Sequence, residues 1–328
     1  MSAHALDKDL EDLAASARAA LMREIDAGGA WAADPVWREV FGAVPRHLFV
    51  PYYYVGVAAG YERHWGENPV PAARERWVRG AYADTPLATR LRDGELLSSS
   101  SQPSLMAMML VALEVADGDR VLEIGAGTGY NAALLAHRLG DDDLVTTIDL
   151  EPEITESARR HLAAAGYHPV VVTGDGARGV PERAPFDRII ATCTLESIPR
   201  AWLAQCRPDA RILTPLATGL VTLAVRDPEH AEGRFLHTPA YFVPLRGGTR
   251  SEPEPPHVAG LPRRAREHEL FRFLLALTRG SLDPQEAYTL WEREGRPQRE
   301  RFGITVHGEH EWAWLDDPEG PYAWTLPG

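Results

Sequence analysis

The sequence predicts an α/β fold: a doubly wound, mostly parallel sheet, with N-terminal helices before it and a smaller C-terminal extension after it. Three observations carry that prediction. From about residue 100, short apolar runs ("RVLEIG", "LVTTIDL", "PVVVTG", "FDRIIATC", "ARILTPL") recur with helical stretches between most of them. Alternation of this kind marks parallel strands covered on both faces. One run leads into a glycine-rich turn that opens a helix, and the next two end at Asp149 and at the "GDG" of Asp175.

The elements follow in chain order. Leu6, Leu10, Leu13, Ala17, Leu21 and Ile25 recur every three or four residues, an amphipathic helix that ends near Gly28 and Gly29. Asp34 before Pro35 predicts a second helix start, with Val36, Trp37, Val40 and Phe41 on its apolar side. Residues 56–95 are polar and broken by Gly and Pro, so they read as irregular. "SSSSQPSLMAMML" at 98–110 runs from four serines straight into a helical apolar series, which is either a flexible tie or the wall of a site. Helices are expected over 129–139 and 152–165. "GLVTLAVRD" and "RFLHTPAYFVPL" follow with no helix between them and suit a hairpin closing the sheet.

Beyond residue 246, "RGGTRSEPEPPHVAGLPRR" has the composition of a linker, and a helix over 267–278 follows it. Trp291, Trp312, Trp314 and Trp324 then predict a tail that folds. The expected organisation is an N-terminal helical and irregular region over 1–97, a core over 98–246 and an extension over 247–328.

The glycine turn narrows the ligand. "VLEIGAGTGY" at 121–130 spaces its glycines G-x-G-x-G, not in the G-x-G-x-x-G fingerprint of dinucleotide sites. Gly125, Gly127 and Gly129 let the backbone approach a ligand closely. Glu123, two residues ahead of the loop, suits a cationic ligand better than a pyrophosphate. Asp149 at the next strand end can accept both ribose hydroxyls, and Asp175 can take an adenine amino group. Acid, glycine loop, acid and acid at successive strand ends form the layout of a class I S-adenosylmethionine-dependent methyltransferase, Rossmann-like in its sheet. S-adenosylmethionine is therefore the expected cofactor, with Thr128, Leu150 and Gly176 completing the loop and strand-end contacts.

"VPRHLFVP" at 44–51, "SSSQPSLMAMML" at 99–110, "VLEIGAGTGYNAALLA" at 121–136, "GDG" at 174–176 and "APFDRIIATC" at 184–193 together resemble the protein-L-isoaspartate O-methyltransferase family, over roughly residues 15–245. The family carries Thr-Ile-Ser-Gln-Pro where this chain has Ser99 to Pro103. The resemblance implies that the serine run is an active-site wall. It implies Ser101 as the catalytic residue, beside the transferred methyl and hydrogen-bonded to the accepting carboxylate, with Ser99 and Gln102 shaping the cofactor pocket. A carboxylate acceptor needs no general base, because an ordinary Asp of pKa ~3.9 is already ionised at neutral pH.

Three features depart from the compact repair enzymes. "RDGELLSSSSQP" replaces the usual Gly-Gln and Thr-Ile approach, residues 56–80 are long, and the chain continues past 246. This pattern resembles actinobacterial members that accompany ribosomally made lanthipeptides, lasso peptides and graspetides, methylating an ordinary Asp whose ester collapses to an aspartimide. The expected activity is thus carboxyl methylation of Asp in a constrained peptide. The alternatives are repair of L-isoaspartyl residues in damaged proteins, methylation of a small molecule, and a silent module that binds a leader peptide. The aromatic tail would either supply peptide-recognition surface or bury its tryptophans in its own core.

Composition sets limits. With 34 basic and 47 acidic side chains, the net charge of −13 disfavours nucleic acid as partner. Cys193 and Cys206 are too few for a disulfide framework or a cysteine-rich zinc site. His307 and His310 have ligand-like spacing but lack a convincing third ligand, so no metal is expected. "PRRAR" at 262–266 reads as a solvated basic patch. Without a signal sequence or a membrane-length apolar run, the chain is expected in the cytoplasm, as a monomer acting on a peptide or protein.

Overall fold

The computed structural model of the chain describes residues 8–58, 60–247 and 260–326, in two compact units that divide after Gly174. The first unit begins with α1 (Lys8–Gly28), whose buried stripe is Leu10, Ala14, Leu21, Met22 and Ile25. Helix α2 (Val36–Ala43) starts one residue beyond Pro35, and Asp34 Oδ1 accepts the Val36 N–H at 3.3 Å.

Residues 56–95 are not irregular. They supply most of a four-stranded antiparallel sheet of order β2–β1–β3–β4, with β1 Tyr52–Val57, β2 Gly60–Trp65, β3 Leu87–Arg92 and β4 Glu95–Ser100. Helix α3 (Pro71–Ala81) lies between β2 and β3 and buries Trp77, Val78 and Ala81. Most of β2 is exposed, so its aromatic residues stand among charges with no apolar alternation to reveal the strand. The serine run is strand, not tether: Ser98, Ser99 and Ser100 pair with Arg90, Ala88 and Leu87. A domain boundary at 97/98 would therefore cut through β4.

Helix α4 (Pro103–Leu113) leaves the serine run with Met106, Ala107, Met109, Leu110 and Leu113 buried. Apolar on nearly every side, it is an interior helix. Then come β5 (Val121–Ile124), α5 (Tyr130–Leu139), β6 (Val145–Asp149), α6 (Pro152–Ala164) and β7 (Val170–Thr173). The three strands run parallel, with Ile124 opposite Ile148 and Asp149 opposite Thr173. This part agrees with the alternation in the sequence.

The second unit carries β8 (Phe186–Ala191), α7 (Arg200–Leu203), β9 (Cys206–Leu216), β10 (Gly219–Asp227), β11 (His230–Pro239), α8 (Arg263–Arg266), α9 (Glu269–Leu277), α10 (Pro284–Arg293), β12 (Phe302–His307), β13 (His310–Leu315) and β14 (Ala323–Thr325). These strands are ordered β14–β13–β12–β11–β10–β9–β8. Only β8 with β9 is parallel; every later pair is antiparallel. The expectation of a mostly parallel sheet fails here because most of these strands are joined by hairpins too short for a crossover.

Nor is 247–328 a separate module. Strand β12 continues the sheet of the preceding core by pairing with β11, from His230↔His307 to Arg234↔Gly303. Phe273 of α9 lies edge-on to Phe235 of β11, with ring centroids 4.9 Å apart. Trp291 and Trp314 are 1% and 2% exposed and Trp324 is 7% exposed, so three of the four tail tryptophans are core and not recognition surface. Gly303 makes room for one of them: a Cβ there would stand 2.1 Å from the Trp314 ring. His307 stacks on His230 at 5.2 Å, and Arg263 of "PRRAR" pairs with Glu267 at the surface. Residues 248–259 of the expected linker lie outside the described residues. Among those described, no helix is long and apolar enough to cross a membrane.

Candidate active site

The site begins with a residue that sequence reasoning did not single out. Arg46 follows Pro45 in "VPRHLFVP" and is completely buried. Its guanidinium donates to the carbonyls of Ala81 (3.0 Å), Ala83 (3.1 Å), Thr85 (3.3 Å), Ser100 (3.3 Å) and Ser101 (3.0 Å), and to Ser100 Oγ. Burial lowers its pKa to about 10, partly opposed by the nearby Asp84 carboxylate, so it stays protonated at neutral pH. A buried cation is tolerated only when its donors are satisfied, and here five backbone carbonyls do that. The result is a fixed backbone at the end of the serine run.

Asp84 fixes the next step. Its carboxylate accepts the Ser104 N–H (2.8 Å) and the Gln102 side-chain amide (3.1 Å), capping α4 from outside the helix. Gln102 also donates to Ser104 Oγ, so its amide braces this turn and is not aimed at a ligand. Between the two clamps stands Ser101. Its carbonyl is held by Arg46, while among the described residues none hydrogen-bonds its hydroxyl.

The glycine loop lies against this strand. Gly125, Gly127 and Gly129 adopt φ of 99°, 51° and 85°, a region that favours glycine. A Cβ on Gly127 would sit 3.5 Å from the Ser99 carbonyl and 3.8 Å from Ser98 Oγ, which places the loop directly beside the serine run. The Gly127 N–H donates to Asp149 Oδ2 at 3.1 Å, tying the loop to the end of β6. Half-buried Leu150 follows Asp149 and leads into α6. Thr128 is buried; its Oγ1 accepts the Tyr130 N–H (3.4 Å) and its carbonyl accepts from His161 Nδ1 (3.0 Å). A cavity of about 30 Å³ bordered by Ser98, Gly127, Thr128 and His161 has room for water but not for a nucleoside.

Glu123 departs from its expected role. It is 1% exposed, with Oε1 taking the Asn131 amide (2.8 Å) and Oε2 the Thr147 hydroxyl (2.6 Å). Burial pushes its pKa up to about 7 against those two hydrogen bonds, with the Asp149 charge a further raising influence. It joins strand, helix and neighbouring strand beneath the loop and does not present a free carboxylate to a cation.

Asp175 and Gly176 belong to the second unit. Asp175 Oδ1 accepts the Ala177 N–H (3.0 Å), and the Gly176 carbonyl accepts from Trp202 Nε1 (2.8 Å), so a rigid turn holds the acid. Gly247 rests on that acid so closely that a Cβ would meet Oδ1 at 2.6 Å. In the same unit, the segment after β8 is held by Glu311 of β13. Both carboxylate oxygens of Glu311 lie 3.0 Å from the Ile198 N–H. Burial pushes the Glu311 pKa up to about 8, opposed by that N–H and by Arg200.

Sequence reasoning missed Arg46, Asp84 and Glu311. The first sat inside a quoted motif, so its signal was a lone cation amid apolar residues. The other two act over long sequence separations and left no local pattern.

Comparison with known proteins completes the description. The family model described as protein-L-isoaspartate(D-aspartate) O-methyltransferase matches residues 71–249. Protein-L-isoaspartate O-methyltransferase 1 of Archaeoglobus fulgidus is 35% identical over 205 residues, covering 62% of this chain and 82% of the relative. Protein-L-isoaspartate O-methyltransferase 2 of Anaeromyxobacter sp. is 38% identical over 214 residues, covering 64% and 75%. A solved protein-L-isoaspartate O-methyltransferase overlays with a TM-score of 0.62 at 22% identity, covering 94% of this chain and 98% of its own. A Plasmodium falciparum chain ascribed to β-aspartate methyl transfer, solved with S-adenosyl-L-homocysteine, overlays at 0.52 with 14% identity, covering 69% and 97%. The fold is that of class I S-adenosylmethionine-dependent methyltransferases. Coverage of 94% also extends well into the strands after residue 246.

Proposed function

The chain belongs to the protein-L-isoaspartate O-methyltransferase family and is an S-adenosylmethionine-dependent protein carboxyl O-methyltransferase, and we propose that the carboxylate it methylates is that of an L-isoaspartyl residue in a protein or peptide. The observation that supports the reading is the Ser101 hydroxyl, without a hydrogen-bond partner among the described residues while Arg46 and Asp84 lock the backbone on either side of it.

The residues present fit the cofactor. Three alternate loop positions adopt glycine-favouring φ, and an acid closes the neighbouring strand. Gly125, Gly127 and Gly129, with Thr128 and Ser99 beside them, would cradle the amino-acid end. Asp149, with Leu150 next to it, would take the ribose. Bound S-adenosylmethionine supplies a methyl group on a sulfonium sulfur. Everything else is positioning. Ser101 donates to one oxygen of the acceptor and turns the other toward the methyl, and alignment with water excluded provides the acceleration. No base is assigned, since the acceptor arrives ionised. The methyl ester leaves as methanol when the following backbone nitrogen attacks, and a succinimide remains.

Methylation of ordinary Asp in a constrained ribosomal peptide, the activity expected above, drew on three departures, of which the sequence after 246 was to supply the recognition surface. Its aromatic residues are largely buried, and a solved isoaspartate methyltransferase aligns across most of that length. Both observations favour the isoaspartyl acceptor. The deciding experiment is mass spectrometry of an isoAsp peptide and of a macrocyclic peptide with ordinary Asp, each with enzyme and cofactor. Methyl gain on the isoAsp peptide alone is expected; gain on the macrocycle alone overturns the reading. Ser101→Ala should lower kcat about 10- to 100-fold, the range for a hydrogen bond to a charged group. Cofactor affinity, read by calorimetry, should stay nearly constant.

A further inference from the structure

The four-stranded sheet that ends in the serine run has a far edge, and that edge carries chemistry the methyl transfer does not use. Across the sheet, Ser99 of β4 pairs with Ala88 of β3, Ala88 with Tyr54 of β1, and Tyr54 with Arg63 of β2. Residues in one such row share a face. The β3–β4 pairing ends at Leu87↔Ser100, one residue before Ser101, and at the far side of the sheet Gly56 pairs with Tyr61. Pro86 and Gly56 are exposed and offer no large side chain, while Tyr61 at the edge is 53% exposed. The row from Ser99 to Arg63 thus crosses the sheet from the serine run, two residues before Ser101, to the edge strand. Three strand spacings of ~4.8 Å make it about 14 Å long, or four to five residues of extended peptide.

Helix α3 packs on the opposite face, where the Tyr53 hydroxyl reaches the Arg76 and Trp77 carbonyls. Around the β2 edge, β2 and α3 border a cleft of about 450 Å³ whose lining includes Tyr61, Arg63, His64, Trp65, Asn68 and Arg76, so Arg63 approaches it from the face of the row and Arg76 from the helix. Arg63 lies over the Tyr52 ring at 4.3 Å and 5.9 Å from Trp65, so its planar face is stacked and held. Glu62, also in the cleft, lies 3.4 Å from His64. Among the described residues neither Arg63 nor Arg76 has a carboxylate partner, in a chain whose net charge is −13. Two unpaired guanidiniums with an aromatic wall suit a carboxylate side chain on an extended backbone.

We propose that this sheet face is a substrate track, and that the Arg63–Arg76 cleft binds an acidic side chain of the substrate polypeptide four to five residues from the residue being methylated. The proposal rests on the isoaspartyl reading above and adds a sequence preference to it. The occupant is the substrate chain itself, because the row begins at Ser99, two residues before Ser101, and charge complementarity selects an acidic segment.

The test compares isoAsp peptides with a Glu pair or a Lys pair five residues away, placed on either side, with the full-length protein. The ratio of KM for the Lys peptide to KM for the Glu peptide should be about fivefold or more on one side, as two exposed ion pairs would give. In Arg63→Gln/Arg76→Gln that ratio should fall close to one. A ratio near one in the wild type, or one unchanged in the variant, overturns the proposal. Calorimetric titration of a Glu peptide lacking isoAsp separates the two readings. If it binds the wild type several-fold more tightly than the variant while no isoAsp peptide is methylated, the acceptor assignment fails and the track stands. If sodium pyrophosphate displaces that peptide at equal concentration, the cleft is a small-anion site and the proposal falls.

Discussion

Arg46 shows how much one side chain can organise when its partners are carbonyls. Five main-chain oxygens from two distant segments meet one planar fork, and lysine, with three donors on a flexible stem, cannot reproduce that geometry. Arg46→Lys should therefore lose about 2–4 kcal/mol in urea unfolding, since buried acceptors left unpaired cost about 1–3 kcal/mol each and some would still be met. The same variant should lose methyl transfer under conditions where it remains folded. Glu311 makes a prediction of the opposite kind. Its folded pKa, about 8, lies above its ordinary 4.5, so the folded state holds the proton more tightly than the unfolded state. Its contribution is complete below pH 4.5 and is lost as pH rises toward 8. His47, which burial holds at about 4, works in the other direction and only below about 6.5. Between pH 6.5 and 8.5 the wild type should thus lose stability more steeply than Glu311→Gln, measured as urea midpoints. Parallel slopes would remove Glu311 from the account.

At the scale of elements, helix α4 matters because Ser101 stands two residues before it. Asp84 caps that helix from the connection before β3, so Asp84→Ala should lower stability by about 1 kcal/mol, and Asp84→Asn should restore most of it by keeping an acceptor. Thermal melts read the first effect, and kcat should fall with it as the serine turn loosens. Local pattern revealed the elements whose signal is local. The strands at 121, 145 and 170, with α5 and α6, announce themselves by apolar period, and the glycine loop by residues that alone tolerate φ of 99° and 51°. Strands β1 to β3 and helix α3 did not, because half of their surface is wet and their aromatic residues stand among arginines. Parallel and antiparallel pairing after β9 was equally hidden, being decided by connection length and not by the strands' composition. At the candidate site, the motifs pointed to Ser99, Gly127 and Asp149, and the structure sets Gly127 beside the Ser99 carbonyl with its N–H on Asp149. Gln102 and Glu123 were legible as residues but not in role, since what each side chain touches depends on residues as far away as Asp84 and Thr147.

The whole chain is tied by pairings that ignore the boundaries its composition suggests. A protein ending at residue 246 would retain β11 but lose β12 beside it, along with the aromatic layer of Phe273, Phe302 and Trp314. Such a truncation should appear mainly in the insoluble fraction on expression, because it exposes an edge strand and the apolar face above it. Soluble, cooperative unfolding of the truncated form would show that the earlier strands suffice. The β11–β12 pairing also sets a clock. When β11 leaves the ribosome its partner is still more than sixty residues from being made, and at about 5–20 residues per second that is a wait of several seconds. For that interval β11, paired on one side with β10, displays an open outer edge, a natural point for chaperone engagement or for misassociation with a neighbouring copy.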